Sequence, residues 1–252
     1  MCHTPRVSLW GIRDELRNAR CAIAFTGAGI SVPSGIPDFR SGQGIWARYP
    51  PEEFATVDAF LADPERWWGF FRALGEAFAA VEPNPAHRAL AELEALGLLE
   101  AVVTQNVDGL HQRAGSRQVI ELHGSPDRLR CLDCERSFPG PAPLEGPVPR
   151  CDACGQVLKP DVVLFGELLP EKALARAQEL ARASDACLVV GTSAVVYPAA
   201  TIPLLVGERG GAVCQIDPQV TELGLRGAVR WAVRGDAAEL LPQLVELLRD
   251  EG

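Results

Sequence analysis

Six short apolar runs punctuate the chain, at residues 21–25, 101–103, 119–122, 186–190, 212–216 and 229–233. The runs at 21–25, 101–103 and 186–190 are continuously apolar, as in strands buried on both faces, while Glu121, Gln215 and Arg230 interrupt the other three. Between most of them lie segments with helical periodicity, at 5–18, 84–96 and 171–183, and an amphipathic helix closes the chain after Asp236. Asn84-Pro85 is a helix start, and Gly97 a helix stop. Each run empties into small and polar residues: Gly27 to Gly29, Gln105 to Asp108, His123, Gly191 to Ser193, Asp217 and Asp236. Strands alternating with helices predict an α/β fold with an open parallel sheet wound on both faces. Ligands bind such sheets beyond the carboxyl ends of the strands, so these residues nominate the site.

Two stretches depart from that pattern. Residues 45–81 hold Trp46, Tyr49, Phe54, Phe60, Trp67, Trp68, Phe70, Phe71 and Phe78, with Pro64 placed to open a helix. They predict a small helical lobe whose rings pack its core. Further on, Cys131-x-x-Cys134 and Cys151-x-x-Cys154 stand sixteen residues apart. Two such knuckles match a tetrahedral structural zinc site in which four thiolates leave no position for water or substrate. A pair of disulfides is the other reading, disfavoured in a chain whose N-terminus has no basic start and apolar core of a secretion signal. Cys2, Cys21, Cys187 and Cys214 are scattered, three of them in predicted strands, and read as core or incidental.

The chemistry gathers around CAIAFTGAGISVPSGIPDFR, residues 21–40. Glycine after a strand permits a tight turn with positive φ, and exposed N–H groups there can cradle a phosphate. The G-x-G-x-x-G fingerprint is only half present, because Val32 sits where a third glycine belongs, and no acidic residue closes a compact βαβ unit about 20 positions on. A dinucleotide used for something other than hydride transfer fits better. Residues 41–44, polar and glycine-rich, predict a mobile loop.

Of the four histidines, His123 stands where a strand meets the crevice, and neutral imidazole there can act as a general base. His87 and His111 read as structural. Asn106 and Asp108 alternate along one extended segment and suit recognition of a carboxamide, although an Asx turn at Asp108-Gly109 explains the same residues. The segment 159–167 leaves the cysteine lobe. It is either a hinge strand or an edge that accepts a peptide by strand addition.

The formal charge of −9, with no basic cluster, argues against sequence-independent nucleic-acid binding. No apolar run approaches the ~20 residues of a membrane span, and the expected location is the cytoplasm. Only two lysines are present, Lys159 and Lys172, so the chain offers few targets for lysine modification itself.

GAGISVPSGIPDFR, TQNVDGLHQRAG, ELHGS, the two knuckles, KPDVVLFGE, VVGTSAVVYPAA and the closing GDA together resemble the sirtuins, the NAD-dependent protein deacylases. They span nearly the whole chain, and the short flanks look like a compact bacterial or archaeal member. The resemblance implies a Rossmann-like domain (1–40, 82–125 and 168–252) with a smaller inserted domain, made of a helical module (41–81) and a zinc ribbon with its return segment (126–167). It implies NAD as cosubstrate, structural Zn2+, and acylated-lysine proteins or peptides as partners. By match to the family motifs, Ala28, Gly29, Asp38, Phe39, Arg40 and Gln105 would line the NAD site. Ile36, Asn106 and Asp108 would hold the nicotinamide end. Gly191, Thr192, Ser193 and Asp236 would hold the adenosine side, with Asp217 where many members have asparagine. Val163, Phe165, Gly166 and Glu167 match the segment that pairs with the substrate backbone.

The mechanism implied is attack of the acyl oxygen on the nicotinamide ribose, an alkylimidate, and deprotonation of a ribose hydroxyl by His123, with Asn106 also catalytic. The products are nicotinamide, free lysine and O-acyl-ADP-ribose. Members that prefer succinyl or malonyl groups carry Tyr-x-x-Arg on the helical lobe. Here Phe71 and Leu74 fall at those places, and Arg72 would aim elsewhere, so acetyl and longer apolar groups are expected to be accepted and acidic ones to be poor. Two other classes remain, an ADP-ribosyltransferase and a non-catalytic NAD sensor, the latter having no need of His123.

Overall fold

The computed structural model describes residues 6–37, 49–140, 146–219, 221–225 and 227–249. Helix α1 (Leu9–Asn18) is capped by Ser8, whose hydroxyl accepts from the Gly11 N–H, and it turns Ile12 and Leu16 inward. Residues 6–8 precede the helix and Arg6 bridges Trp231, so α1 starts later than the periodicity suggests. The chain then enters β1 (Ala22–Thr26), all of it buried. Cys21 lies just outside this strand.

Strand β1 pairs with β2 (Ala101–Thr104) on one side and β7 (Ala186–Val190) on the other. With β3 (Val119–Glu121), β8 (Ala212–Ile216) and β9 (Trp231–Val233) they form one parallel sheet in the order β3-β2-β1-β7-β8-β9. This is a Rossmann-like order, and it reverses between β1 and β7, which opens a crevice at their carboxyl ends. Alternate residues face opposite sides. Ala22, Ala24, Val102, Leu188 and Val190 pack under α1, α5 (Pro85–Ala95) and α10 (Ala237–Arg249). Ile23, Phe25, Val103, Cys187 and Val189 pack under α7 (Glu171–Ala183) and α8 (Thr201–Glu208). Only the central strands are buried on both faces. The edge strands β3 and β9 are half-buried, and β9 is shorter than its apolar run, because an edge has a neighbour on one side only.

A second sheet is antiparallel, in the order β5-β4-β6, from β4 (Gly124–Cys131), β5 (Ser137–Pro139) and β6 (Leu158–Val162). Strand β4 begins at Gly124, one residue after His123, so the passage between the sheets falls slightly earlier than residue 126. Against this sheet pack α2 (Pro51–Phe54), α3 (Val57–Ala62) and α4 (Pro64–Ala79), sharing a core of Phe54, Phe60, Trp67, Trp68, Phe70, Phe71 and Leu74 with Leu129, Leu158 and Val162. Trp67 is its hub, stacked on Phe71 at 5.4 Å and edge-on to Phe60 at 5.2 Å. Both indole N–H groups are satisfied, by Phe54 O at 2.7 Å and Leu158 O at 3.0 Å. Short helices α6 (Leu110–Arg113) and α9 (Glu222–Leu225) complete the described elements. Among these no helix is long and apolar enough to cross a membrane.

Candidate active site and metal centre

The carboxyl ends of β1 and β7 are locked together by glycines. The Gly29 N–H donates to Gly191 O at 2.8 Å. A Cβ on Gly29 would lie 2.7 Å from that oxygen, one on Gly27 2.7 Å from Thr192 Cβ, and one on Gly191 2.2 Å from Ile30 N. Gly191 has φ +59°, whereas Gly27 and Gly29 do not take positive φ, so these two serve close approach instead of a left-handed turn. The chain continues as a 3-10 segment (Ala28–Ser34), not an α-helix. Among the described residues the Ala28 N–H has no partner.

Beside this lock, β2 ends in three polar side chains. Gln105 Nε2 donates to Thr26 O at 3.2 Å and Thr192 Oγ1 at 2.9 Å. Asn106 Nδ2 donates to Gly27 O and to Ser31 Oγ, both at 3.2 Å. Ser31 Oγ in turn donates to Asp108 Oδ2 at 2.7 Å. Asn106 and Asp108 therefore converge on one hydroxyl, while Asp108 Oδ1 also accepts from Leu110 N at 3.0 Å. The Ser31 contact and the Asx turn coexist, one carboxylate oxygen serving each. Burial raises the Asp108 pKa. Ser31 is the joint that sequence reasoning missed. Its only signal was a serine two places after the second glycine.

Behind Ser31 lie His87 and His111, both fully buried, with rings 4.9 Å apart. His87 Nδ1 accepts from Asn84 N, so its Nε2–H points to Ser31 Oγ at 3.4 Å. His111 Nε2 bonds Thr26 Oγ1 at 2.9 Å. Burial pushes His87 down to about 4 and His111 to about 3, so both are neutral struts.

His123 differs because one nitrogen is free. Its Nδ1 lies 2.7 Å from Gln105 O, and a carbonyl can only accept, so Nδ1 carries the hydrogen. The neutral ring then has an unprotonated Nε2 at the cavity wall. Burial lowers its pKa from 6.5, partly opposed by the Gln105 bond, which keeps this form at neutral pH.

These groups line one cavity of about 1500 Å³. That exceeds the ~300–1,000 Å³ of ordinary single-ligand pockets, enough for two substrates together. Ala28, Gly29, Ile36, Gly191, Thr192, Ser193, Asp217 and Asp236 share its wall with Phe71 and Leu74. Asp217 and Asp236 are partly committed already, accepting from Gln219 N at 2.9 Å and Ala238 N at 2.8 Å. Asp38, Phe39 and Arg40, like the loop at 41–44, lie outside the described residues. Arg72 donates to Gly146 O at 2.7 Å.

Residues 163–167 also border the cavity, but not as a free edge. Val163 N donates to His123 O, and the Phe165 backbone is bonded on both sides, to Ala55 O and Val57 N. Simple strand addition along the whole segment is thereby excluded. The Val163 carbonyl and the Gly166 N–H are left without partners among the described residues, and the Phe165 ring is 56% exposed. Glu167 turns its carboxylate inward to Leu164 N at 2.8 Å and Lys159 Nζ at 3.0 Å.

In the small sheet, the Sγ atoms of Cys131, Cys134, Cys151 and Cys154 lie within 4.8 Å of one another. Three of the separations are 3.5–3.6 Å. A tetrahedron with Zn–S bonds of ~2.3 Å has edges of roughly 3.8 Å, so the donor set fits a structural zinc ion. The Cys134 backbone N–H pulls the Cys131 thiol down to about 7, whereas burial and the neighbouring thiols push Cys134 and Cys154 up.

Comparison with known proteins gives a consistent result. The Sir2 family model matches residues 27–198. The NAD-dependent protein deacylase of Thermococcus kodakarensis is 49% identical over 242 residues, covering 93% of each chain. NAD-dependent protein deacylase 1 of Archaeoglobus fulgidus is 47% identical over 235 residues, covering 93% of this chain and 95% of that one. A solved complex of a Sir2 homolog with NAD has a TM-score of 0.91 at 45% identity, covering 98% of this chain and 96% of the other. A Sir2 complex with a p53 peptide and NAD+ has a TM-score of 0.84 at 36% identity, covering 96% and 98%.

Proposed function

The chain belongs to the Sir2 family, and on that premise we propose that it removes acyl groups from protein lysines, consuming NAD and yielding nicotinamide, free lysine and O-acyl-ADP-ribose. The observation that carries this reading is His123, a neutral imidazole with one nitrogen tied off and the other open to a cavity sized for two substrates. Bound NAD supplies an anomeric carbon that the acyl oxygen can attack, with nicotinamide as leaving group.

The protein's share is positioning and one proton. The Ala28 N–H and the glycine lock give the dinucleotide phosphates a backbone surface to lie on. Asn106 and Asp108, braced by Ser31, hold the carboxamide with Ile36, and Asn106 also serves catalysis. Gly191, Thr192, Ser193, Asp217 and Asp236 form the adenosine side, with Gln105 bridging the two strand ends. Asp38, Phe39 and Arg40 belong to the same assignment by motif. His123 Nε2 takes the proton from a ribose hydroxyl, which frees that oxygen to capture the acyl carbon. Water then adds to that carbon and the lysine amine leaves, so the acyl group ends on ADP-ribose.

The lysine enters past the Val163 carbonyl and Gly166 N–H, the groups of the return segment still free to pair with a peptide, with the exposed Phe165 ring beside it. Phe71 and Leu74 make the acyl end apolar, and Arg72 is turned to Gly146 O. A carboxylate against Phe71 and Leu74 would lose its hydration.

The test is nicotinamide release and O-acyl-ADP-ribose formation with acetyl-lysine and succinyl-lysine peptides. Acetyl-dependent turnover is expected, with succinyl poor. His123→Ala should cost about 10²–10⁴ in product formation. Because the neutral ring is the active form and burial lowers its pKa, the acid limb of the wild-type pH profile should fall below 6.5. Release without acyl peptide would replace deacylation with ADP-ribosyl transfer or NAD hydrolysis. Comparable succinyl turnover would refute the apolar pocket.

A further inference from the structure

Lys159 presents an unusual combination. Its ammonium is 1% exposed, inside the small sheet, at a residue of β6 that pairs with Arg130 of β4. All three of its donors are used. They reach Pro160 O at 3.1 Å, Val162 O at 2.5 Å and Glu167 Oε2 at 3.0 Å. The same Glu167 oxygen accepts from Leu164 N at 2.8 Å, and Glu167 N donates back to Leu164 O at 3.0 Å. Residues 164 and 167 are thus stapled twice around Phe165-Gly166. Within that staple Gly166 takes φ +95°, and a Cβ there would press on Val57 Cγ1 at 3.1 Å. Arg130, beside the zinc ligand Cys131, adds a longer contact to Glu167 Oε1 at 3.7 Å.

A buried ion pair is a poor way to gain stability, since an apolar pair of similar volume is often as good. What this pair does supply is geometry. Lys159 grips the carbonyls at 160 and 162 and the carboxylate at 167, so both ends of the return segment are referred to one nitrogen. Lying between them are the Val163 carbonyl and the Gly166 N–H.

We propose that Lys159 is a positioning residue for the peptide substrate, holding Glu167 so that the 163–166 turn presents its free backbone groups to the cleft. This rests on the deacylase reading above. It predicts an effect on the peptide that NAD does not share.

The experiment compares wild type with Lys159→Met, Lys159→Arg and the double variant Lys159→Met/Glu167→Gln, which leaves no unpaired buried charge. Each is checked for folding and zinc content, and KM for acetyl-lysine peptide, KM for NAD and kcat are measured separately. The expected result is a rise of about tenfold in peptide KM for Lys159→Met and for the double variant, the scale of one charge-assisted hydrogen bond. NAD KM should stay within about twofold, and Lys159→Arg should recover most of the loss. An unchanged peptide KM in a folded, zinc-loaded variant would overturn the proposal, as would a parallel rise in both KM values. A wild type that releases no acyl group would instead sink the deacylase reading and this proposal with it.

Discussion

Strands β7 and β4 show how differently the two sheets are held. Strand β7 buries all five of its residues between layers of helices, and nothing in it but side-chain volume decides its place. Strand β4 buries Gly124, Ser125, Leu129 and Cys131 but leaves Asp127 and Arg128 exposed. Its sheet has three strands and one shared aromatic cluster, and the four cysteines supply the rest. A large sheet can be stabilised by burial alone, whereas a small one needs cross-links. His123 sits where the two meet, one residue ahead of β4.

Removing the metal should break this contrast most sharply. Structural zinc contributes about 10–16 kcal/mol of apparent binding free energy in small domains. Cys131→Ser, or a chelator, should therefore loosen the small sheet while leaving the six-stranded one folded. Trp67 and Trp68 report on it, since both are buried in that cluster. Their emission should shift to the red and peptide-dependent turnover should vanish, with far-UV circular dichroism largely kept. Unshifted emission would mean the aromatic core holds without metal.

A cut in the other sheet should act globally. Leu188 is fully buried in β7, and Leu188→Ala should lower the unfolding free energy by about 2–5 kcal/mol, measured by denaturant titration. Zinc content should not change. A loss below about 1 kcal/mol would show that the centre of the sheet can collapse around the missing volume.

The last effect is pH-dependent and belongs to the buried histidines. Unfolded, His87 and His111 would titrate near 6.5, but in the fold they are held to about 4 and about 3. The unfolded chain therefore binds more protons between those values, and stability must fall as pH drops from 6.5 towards 4. The slope approaches about 1.4 kcal/mol per pH unit for each ring. In His111→Gln that dependence should be shallower by one group. An unchanged slope would place the acid sensitivity elsewhere, for example in protonation of the metal thiolates.

Much of this was legible in the chain. Apolar runs at 21–25, 101–103 and 186–190 read as strands because burial on both faces leaves no polar position. The knuckles read as metal ligands because four thiolates at that spacing have few other uses, and His123 stood out by its place at a strand end. How buried the two edge strands would be was not legible, since an apolar run does not say how many neighbours it will have.

Sequence alone determined, then, the strands of the parallel sheet, most of the helices between them, the grouping of the four cysteines and the residues at the crevice. Which of those residues touch was decided only by the tertiary structure. Ser31 meets Asp108 across 77 positions, Gly29 meets Gly191, and Ala55 and Val57 occupy the backbone of Phe165. Hydrophobic periodicity is local and survives in the order of residues. A hydrogen bond between distant strand ends depends on how the sheet is wound, and its partners acquire their roles only when the fold brings them within about 3 Å of each other.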